Sequence, residues 1–183
     1  MSIKPLKCVV LLVALLWSSG RAAVIQVDIT GTVDLVNDVD HVLAGIVQVG
    51  QPYTATYAFD TTAPDTMPSN HHEGEYVGGN ASFQLPTVNG AGTTLLDVST
   101  DLDNLYFSAF APSWYFTATV NPIMSLTSDH TPWPFPQVAN ARFFVSKGKS
   151  SFEGSIGSVI ATEVPEPCLG GLLCISTCLL RRR

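Results

Sequence analysis

The stretch VIQVDITGTVDLV, Val24 to Val36, alternates Ile25, Val27 and Ile29 with Gln26, Asp28 and Thr30, then resumes after Gly31 at Val33 and Leu35. PYTATYAFD repeats the pattern, with Tyr53, Ala55, Tyr57 and Phe59 on one face and Thr54, Thr56 and Ala58 on the other. A period of two in β-branched and aromatic residues marks a strand with one buried face. Further strands are expected at His41–Val49, Tyr76–Leu85, Thr93–Ser99, Leu105–Phe110, Trp114–Val120, Ala141–Ser146 and Ser151–Ala161. Turn-rich segments separate them: DTTAPDTMPSN, NGAG at Asn89–Gly92 as a hairpin connection, and SDHTPWPFP, whose prolines exclude a central strand or a helix. No window between the two ends keeps a helical period for three turns. Eight or nine short strands without intervening helices predict an all-β domain over residues 23–161, an antiparallel β-sandwich or jelly-roll-like fold.

Both ends differ from this body. Lys4 and Lys7 precede the ten-residue apolar run CVVLLVALLW, and small residues at Gly20 and Ala22 follow. A basic start, a short apolar stretch and a small-residue exit predict a secretory signal peptide over residues 1–22. Cleavage is expected between Ala22 and Ala23, after passage through the Sec translocon. Of four cysteines, Cys8 lies in this leader and Cys168, Cys174 and Cys178 lie in the last sixteen residues. An exported domain without cysteine is held by packing alone, which a chain of this size can supply. Between Ala23 and Glu163 the basic residues are Arg142, Lys147 and Lys149, against fourteen aspartates and glutamates. Such a balance repels phosphate backbones, so nucleic acid is not expected as a partner.

The chain ends VPEPCLGGLLCISTCLLRRR. Pro165 and Pro167 bar a helix from starting before Pro167, and residues 168–180 are apolar. As a helix these thirteen residues measure about 20 Å, against roughly 30 Å of bilayer hydrocarbon. Arg181, Arg182 and Arg183 would extend the reach by snorkelling and hold that end on the cytoplasmic side. A short transmembrane helix over 168–180 is therefore expected, with the protein membrane-anchored through it. Val164-Pro165-Glu166-Pro167, an apolar segment and a terminal arginine cluster together resemble a PEP-CTERM sorting signal, here residues 162–183. The resemblance implies an exported protein of a Gram-negative bacterium, recognised by an exosortase that processes the tail, then placed at the cell surface or outside the cell. It also implies an association with exopolysaccharide and biofilm. GTVDLV, VQVGQPYTATYAFDTTAPD and GEYVGGNASFQL resemble a β-rich secreted domain common among such proteins, for which no activity and no catalytic residue is implied.

Candidate chemistry in the body is sparse. His41, His71, His72 and His130 lie in no nucleophile or zinc-protease motif, and EGSIG lacks the spacing of a nucleophile elbow. HHEGE, His71–Glu75, offers zinc or copper ligand types. Successive strand residues point to opposite faces, so the segment reads as a solvated loop. Asp38 with Asp40, and Asp101 with Asp103 and Asn104, carry alternating oxygens of the kind calcium takes from loops. They lack the glycine and distal glutamate of an EF-hand. No cofactor is otherwise implied. Trp114, Tyr115, Phe116, Trp133 and Phe135 cluster in sequence; Trp133, between prolines, is the candidate exposed ring for a sugar, with Trp114 behind it. Trp114 and Phe116 share a face with Ala118 and Val120, as core residues do. The expectation is thus an exported surface or exopolysaccharide-associated matrix protein without catalytic activity. A carbohydrate-binding module is the alternative, ahead of an enzyme acting on cell-surface polysaccharide through two acids about 5–10 Å apart.

Overall fold

A computed structural model describes residues 23–122, 126–128, 130 and 134–164. Eight strands follow one another: β1 (Val24–Asn37), β2 (Pro52–Asp60), β3 (Glu73–Gln84), β4 (Asn89–Ser99), β5 (Asn104–Ala111), β6 (Trp114–Pro122), β7 (Val138–Lys147) and β8 (Ser150–Val164). Each pairs antiparallel with its sequence neighbour, and β1 pairs with β8, so the sheet closes into an up-and-down barrel. The expected sandwich or jelly roll is thereby corrected. Period-two alternation marks which face of a strand is buried but not which strands are neighbours, and closure was not encoded in any single segment. The β1–β8 register shifts between Thr30 and Gly31 and again between Val33 and Leu35. Such irregularities add the bend and twist that a closed sheet requires.

Three further expectations change. His41–Val49 is not a strand; Val47 and Ile46 donate their amides to the Leu43 carbonyl, forming a single tight coil that buries Leu43 and Val47. The β3–β4 hairpin turns over Leu85–Val88, where the Leu85 amide bonds the Val88 carbonyl, and Asn89–Gly92 already belongs to β4. The membrane helix, and membrane anchoring through it, are corrected too: the described residues include no helix long and apolar enough to cross a membrane. Residues 168–180, which at thirteen residues fall short of the bilayer core, lie outside them. So do residues 1–22 and 165–183, on which the expected leader and the expected sorting signal beyond Val164 fall. Thr162, Glu163 and Val164 are the last residues of β8.

The barrel is filled. An eight-stranded barrel has an interior just wide enough for side chains to occupy it, and here aromatic rings do so. Phe83 meets Phe116 at 5.0 Å, Trp114 at 5.5 Å, Phe152 at 6.3 Å and Phe143 at 6.4 Å. Tyr53 stacks on Phe143 at 4.4 Å and donates its hydroxyl to the Ser155 carbonyl. Space for that ring comes from glycine: a Cβ at Gly154 would sit 2.5 Å from the Tyr53 ring, and one at Gly31 2.5 Å from its hydroxyl. β3 bulges between Val77 and Asn80, where Gly78 and Gly79 adopt positive φ and Gly79 lies against the Ala58 carbonyl.

The alternating directions put the β2–β3, β4–β5 and β6–β7 connections, Ala23 and Val164 on one rim, and the other four connections on the opposite rim. Phe83 is the hub of the ring cluster, so Phe83→Ala is expected to destabilise the fold by about 3–5 kcal/mol. Urea unfolding of the two proteins measures the difference, and a loss below about 1 kcal/mol would refute a close-packed interior.

Candidate binding surface

The residues singled out from sequence do not converge. Trp114 is half-buried on the rim away from the termini, its ring edge-on to Phe83 and covered by the Lys147 ammonium at 4.9 Å. It packs on the core at this rim. Trp133 lies outside the described residues, in the β6–β7 connection. Asp101 and Asp103 occupy the β4–β5 turn but hold separate partners. Asp101 contacts His72 Nδ1 at 2.9 Å with both side chains well exposed, and Asp103 accepts the Leu126 amide at 2.9 Å. Among the described residues no group of histidine, cysteine, aspartate or glutamate is arranged to hold a metal ion. His71 and His72 precede β3 and are exposed, while Glu73 and Glu75 are already in the strand.

Asp38 and Asp40 serve as a latch. Asp38 Oδ1 accepts the Leu43 amide at 3.0 Å and the Ser150 hydroxyl at 2.8 Å, and Asp40 Oδ2 accepts the Lys149 amide at 2.7 Å. Burial opposes ionisation of Asp38, but bonds from Leu43, Ser150, Val42 and Ala44 outweigh it and hold the carboxyl below its usual range. These carboxylates join the β1–β2 loop to the β7–β8 turn.

The arrangement with binding chemistry lies on the outer wall of β3–β7. Strand register aligns three rows of outward side chains. One reads Glu75, Asp97, Tyr106, Thr119, Arg142. The next reads Val77, Leu95, Ser108, Thr117, Phe144. The third reads Thr93, Phe110, Tyr115, Ser146. At about 4.8 Å per strand, a five-residue row spans about 19 Å. Phe110 is 67% exposed and meets Tyr115 at 4.6 Å, while the Tyr106 and Tyr115 hydroxyls bond at 2.8 Å. Ser108 and Thr117, in the row between, are buried despite facing outward. The result is an aromatic platform bordered on one side by a row of charged and hydroxyl groups.

Two groups on it are electrostatically perturbed. Burial, followed by the neighbouring carboxylates Glu75 and Glu73, pushes the Asp97 carboxyl up to about 6. Burial and the bond with Tyr106 push the Tyr115 hydroxyl well above its ordinary value. Sequence inspection placed Trp114 and Phe116 on the inner face of β6 but did not follow the opposite face. Tyr106 and Phe110 alternate with Phe107, and Tyr115 with Phe116; strands with rings on both faces carry that signal.

A second feature is a cleft of about 640 Å³ between β7 and β8, lined by Phe135–Ala141 and by Ile156, Gly157, Ser158, Val159 and Ala161. These strands pair only from Arg142 with Ser155 to Lys147 with Ser150, and diverge toward the rim that carries the termini.

The sign of the Asp97 effect is fixed. Between about pH 4 and 6 the native protein keeps a proton that the unfolded chain has released, so stability falls as pH rises through that window. Asp97→Asn is expected to raise stability at pH 7.5 by about 1 kcal/mol, the full shift being reduced by solvent screening. At pH 3.5 the gain disappears. Thermal unfolding at the two pH values checks this, and an equal gain at both would refute an electrostatic origin.

Comparison with protein-family models, with curated proteins and with solved structures finds no match.

Proposed function

We propose that this chain is an exported surface or matrix barrel without catalytic activity, carried by the Sec translocon and sorted by an exosortase acting on Val164–Pro167 and the tail beyond. The observation that supports this most directly is that the barrel closes within residues 24–164. β1 starts at Val24, one residue after the Ala22–Ala23 junction, and β8 ends at Val164, the first residue of the Pro-Glu-Pro signal. Val24 and Val164 are themselves paired. Leader and tail therefore flank a closed barrel, and removing either takes no strand from the wall. Pro165, next in sequence after Val164, lacks an amide proton with which to donate a ladder bond. Replacing Pro165, Glu166 and Pro167 together with alanine is expected to abolish tail processing in the native host, read as the intact mass of the exported protein. An unchanged mass and an unchanged cell fraction would overturn the sorting proposal.

A second reading, that the barrel binds carbohydrate, is favoured by the outer wall of β3–β7. Saccharides present apolar C–H faces bordered by hydroxyls, and Phe110, Tyr115 and Tyr106 beside Asp97 and Glu75 offer the complementary order of rings and acceptors. This replaces Trp114 with the opposite face of the same strands. On a glycan array, Phe110→Ala combined with Tyr115→Ala is expected to weaken binding about tenfold or more, the loss of roughly 1.4 kcal/mol. Equal binding by this variant, or none by the parent, would refute it.

A further inference from the structure

β7 is bonded on one side to β6 along Val138–Ala141, and β8 on one side to β1 along Ile156–Ala161. Their other edges face each other across the cleft. Among the described residues no β7–β8 pair forms above Arg142 and Ser155, and no loop amide or carbonyl bonds either edge. A strand edge presents alternating donors and acceptors, a template for another extended backbone. Val138–Ala141 offers about 13 Å of such edge, and Ile156–Ala161 about 20 Å.

From this juxtaposition we infer that the β7–β8 cleft receives an extended, uncharged peptide segment of a partner protein, four to six residues long, as an added strand. Charge selects the occupant. The domain carries fourteen acidic residues against three basic ones between Ala23 and Glu163, yet none of the residues lining the cleft is ionisable. A charged side chain placed there would lose hydration and gain no counter-ion. A neutral strand satisfies its main chain on the two edges and packs its side chains on Phe135, Val138, Ile156 and Val159. Pairing resumes at Arg142 with Ser155, and Arg142 lines a smaller recess with Asp34 and Glu153 at the closed end of the slot. The site is separate from the aromatic wall and does not depend on the carbohydrate reading.

The test uses the full chain and a blocked peptide, acetyl-Val-Thr-Val-Thr-Val-amide, followed by amide hydrogen exchange. Strand addition is expected to slow exchange at Val138–Ala141 and Ile156–Ala161 at least about tenfold, leaving β3–β6 unchanged. A version of the peptide with alternate amides N-methylated is expected not to bind. Gly157→Lys and Ala139→Lys each place a charge in the cleft. A Cβ at Gly157 meets only the Thr30 carbonyl, at 3.6 Å, so that variant is expected to keep the parent's unfolding temperature while binding the peptide at least about tenfold more weakly. Absence of protection, equal binding of the N-methylated peptide, or unchanged binding by both lysine variants would each overturn the inference.

Discussion

The pairing of β1 with β8 is the constraint on which the rest of the structure depends. Thirteen residue pairs join the first strand to the last, from Val24 with Val164 to Asn37 with Ser151. All other strand pairings are made with the preceding or following strand in sequence and can form locally. The β1–β8 seam joins residues more than a hundred positions apart, so its loop-closure entropy must be offset by the core it completes. Its bulges make closure possible, and Tyr53 locks it: the ring fits over Gly31 and Gly154, one glycine on each strand, and its hydroxyl bonds the Ser155 carbonyl. The latch at the other rim works in the same direction. Asp38 and Asp40 lie just after β1, and their partners Ser150 and Lys149 lie at the start of β8 and in the turn before it.

Closure decides where binding can occur. The interior of this eight-stranded barrel is taken up by the buried rings of Phe83, Phe107, Phe116, Phe143 and Phe152. The surfaces with binding chemistry described above are the outer wall of β3–β7 and the β7–β8 cleft. A cysteine-free body explains the dense interior. Without cross-links the unfolded chain keeps its full entropy, and aromatic burial has to offset it.

The strands were legible in the sequence because their buried faces are regular. Ile25, Val27, Ile29, Tyr53, Tyr57 and Phe59 all point inward as their alternation requires. Barrel closure was not legible, because nothing in β1 or β8 read separately names the other as a partner. His41–Val49 misled for a specific reason: Leu43 and Val47 are four apart, a helical-turn spacing, inside a run of apolar residues that also suits a strand. The outer wall was not legible because β5 and β6 carry rings on both faces, and alternation alone does not say that Tyr106, Phe110 and Tyr115 stand together. Their mutual register is a product of pairing. The cleft was invisible for the same reason, since it is the absence of pairs between two strands that each look complete.

Where local rules are broken at a cost, the break points to use. Glu75 and Asp97 are directly paired across strands although like charges so placed repel, and after burial, the larger cause, that repulsion helps to raise the Asp97 carboxyl. Phe110 keeps two thirds of its surface in water beside Tyr115. An edge left open between β7 and β8 invites pairing with other chains, which natural sheets ordinarily block with charge or proline; Pro136 stands at one end of the cleft but the edge itself has neither. None of the three contributes to closing the barrel or filling it. The Glu75–Asp97 pair and Phe110 lie within one stretch of outer wall, and the open edge lies beyond Arg142 on the adjoining β7. The same strands thus fill the barrel with their inner faces and carry the first two departures on their outer faces, while the third lies where β7 and β8 part.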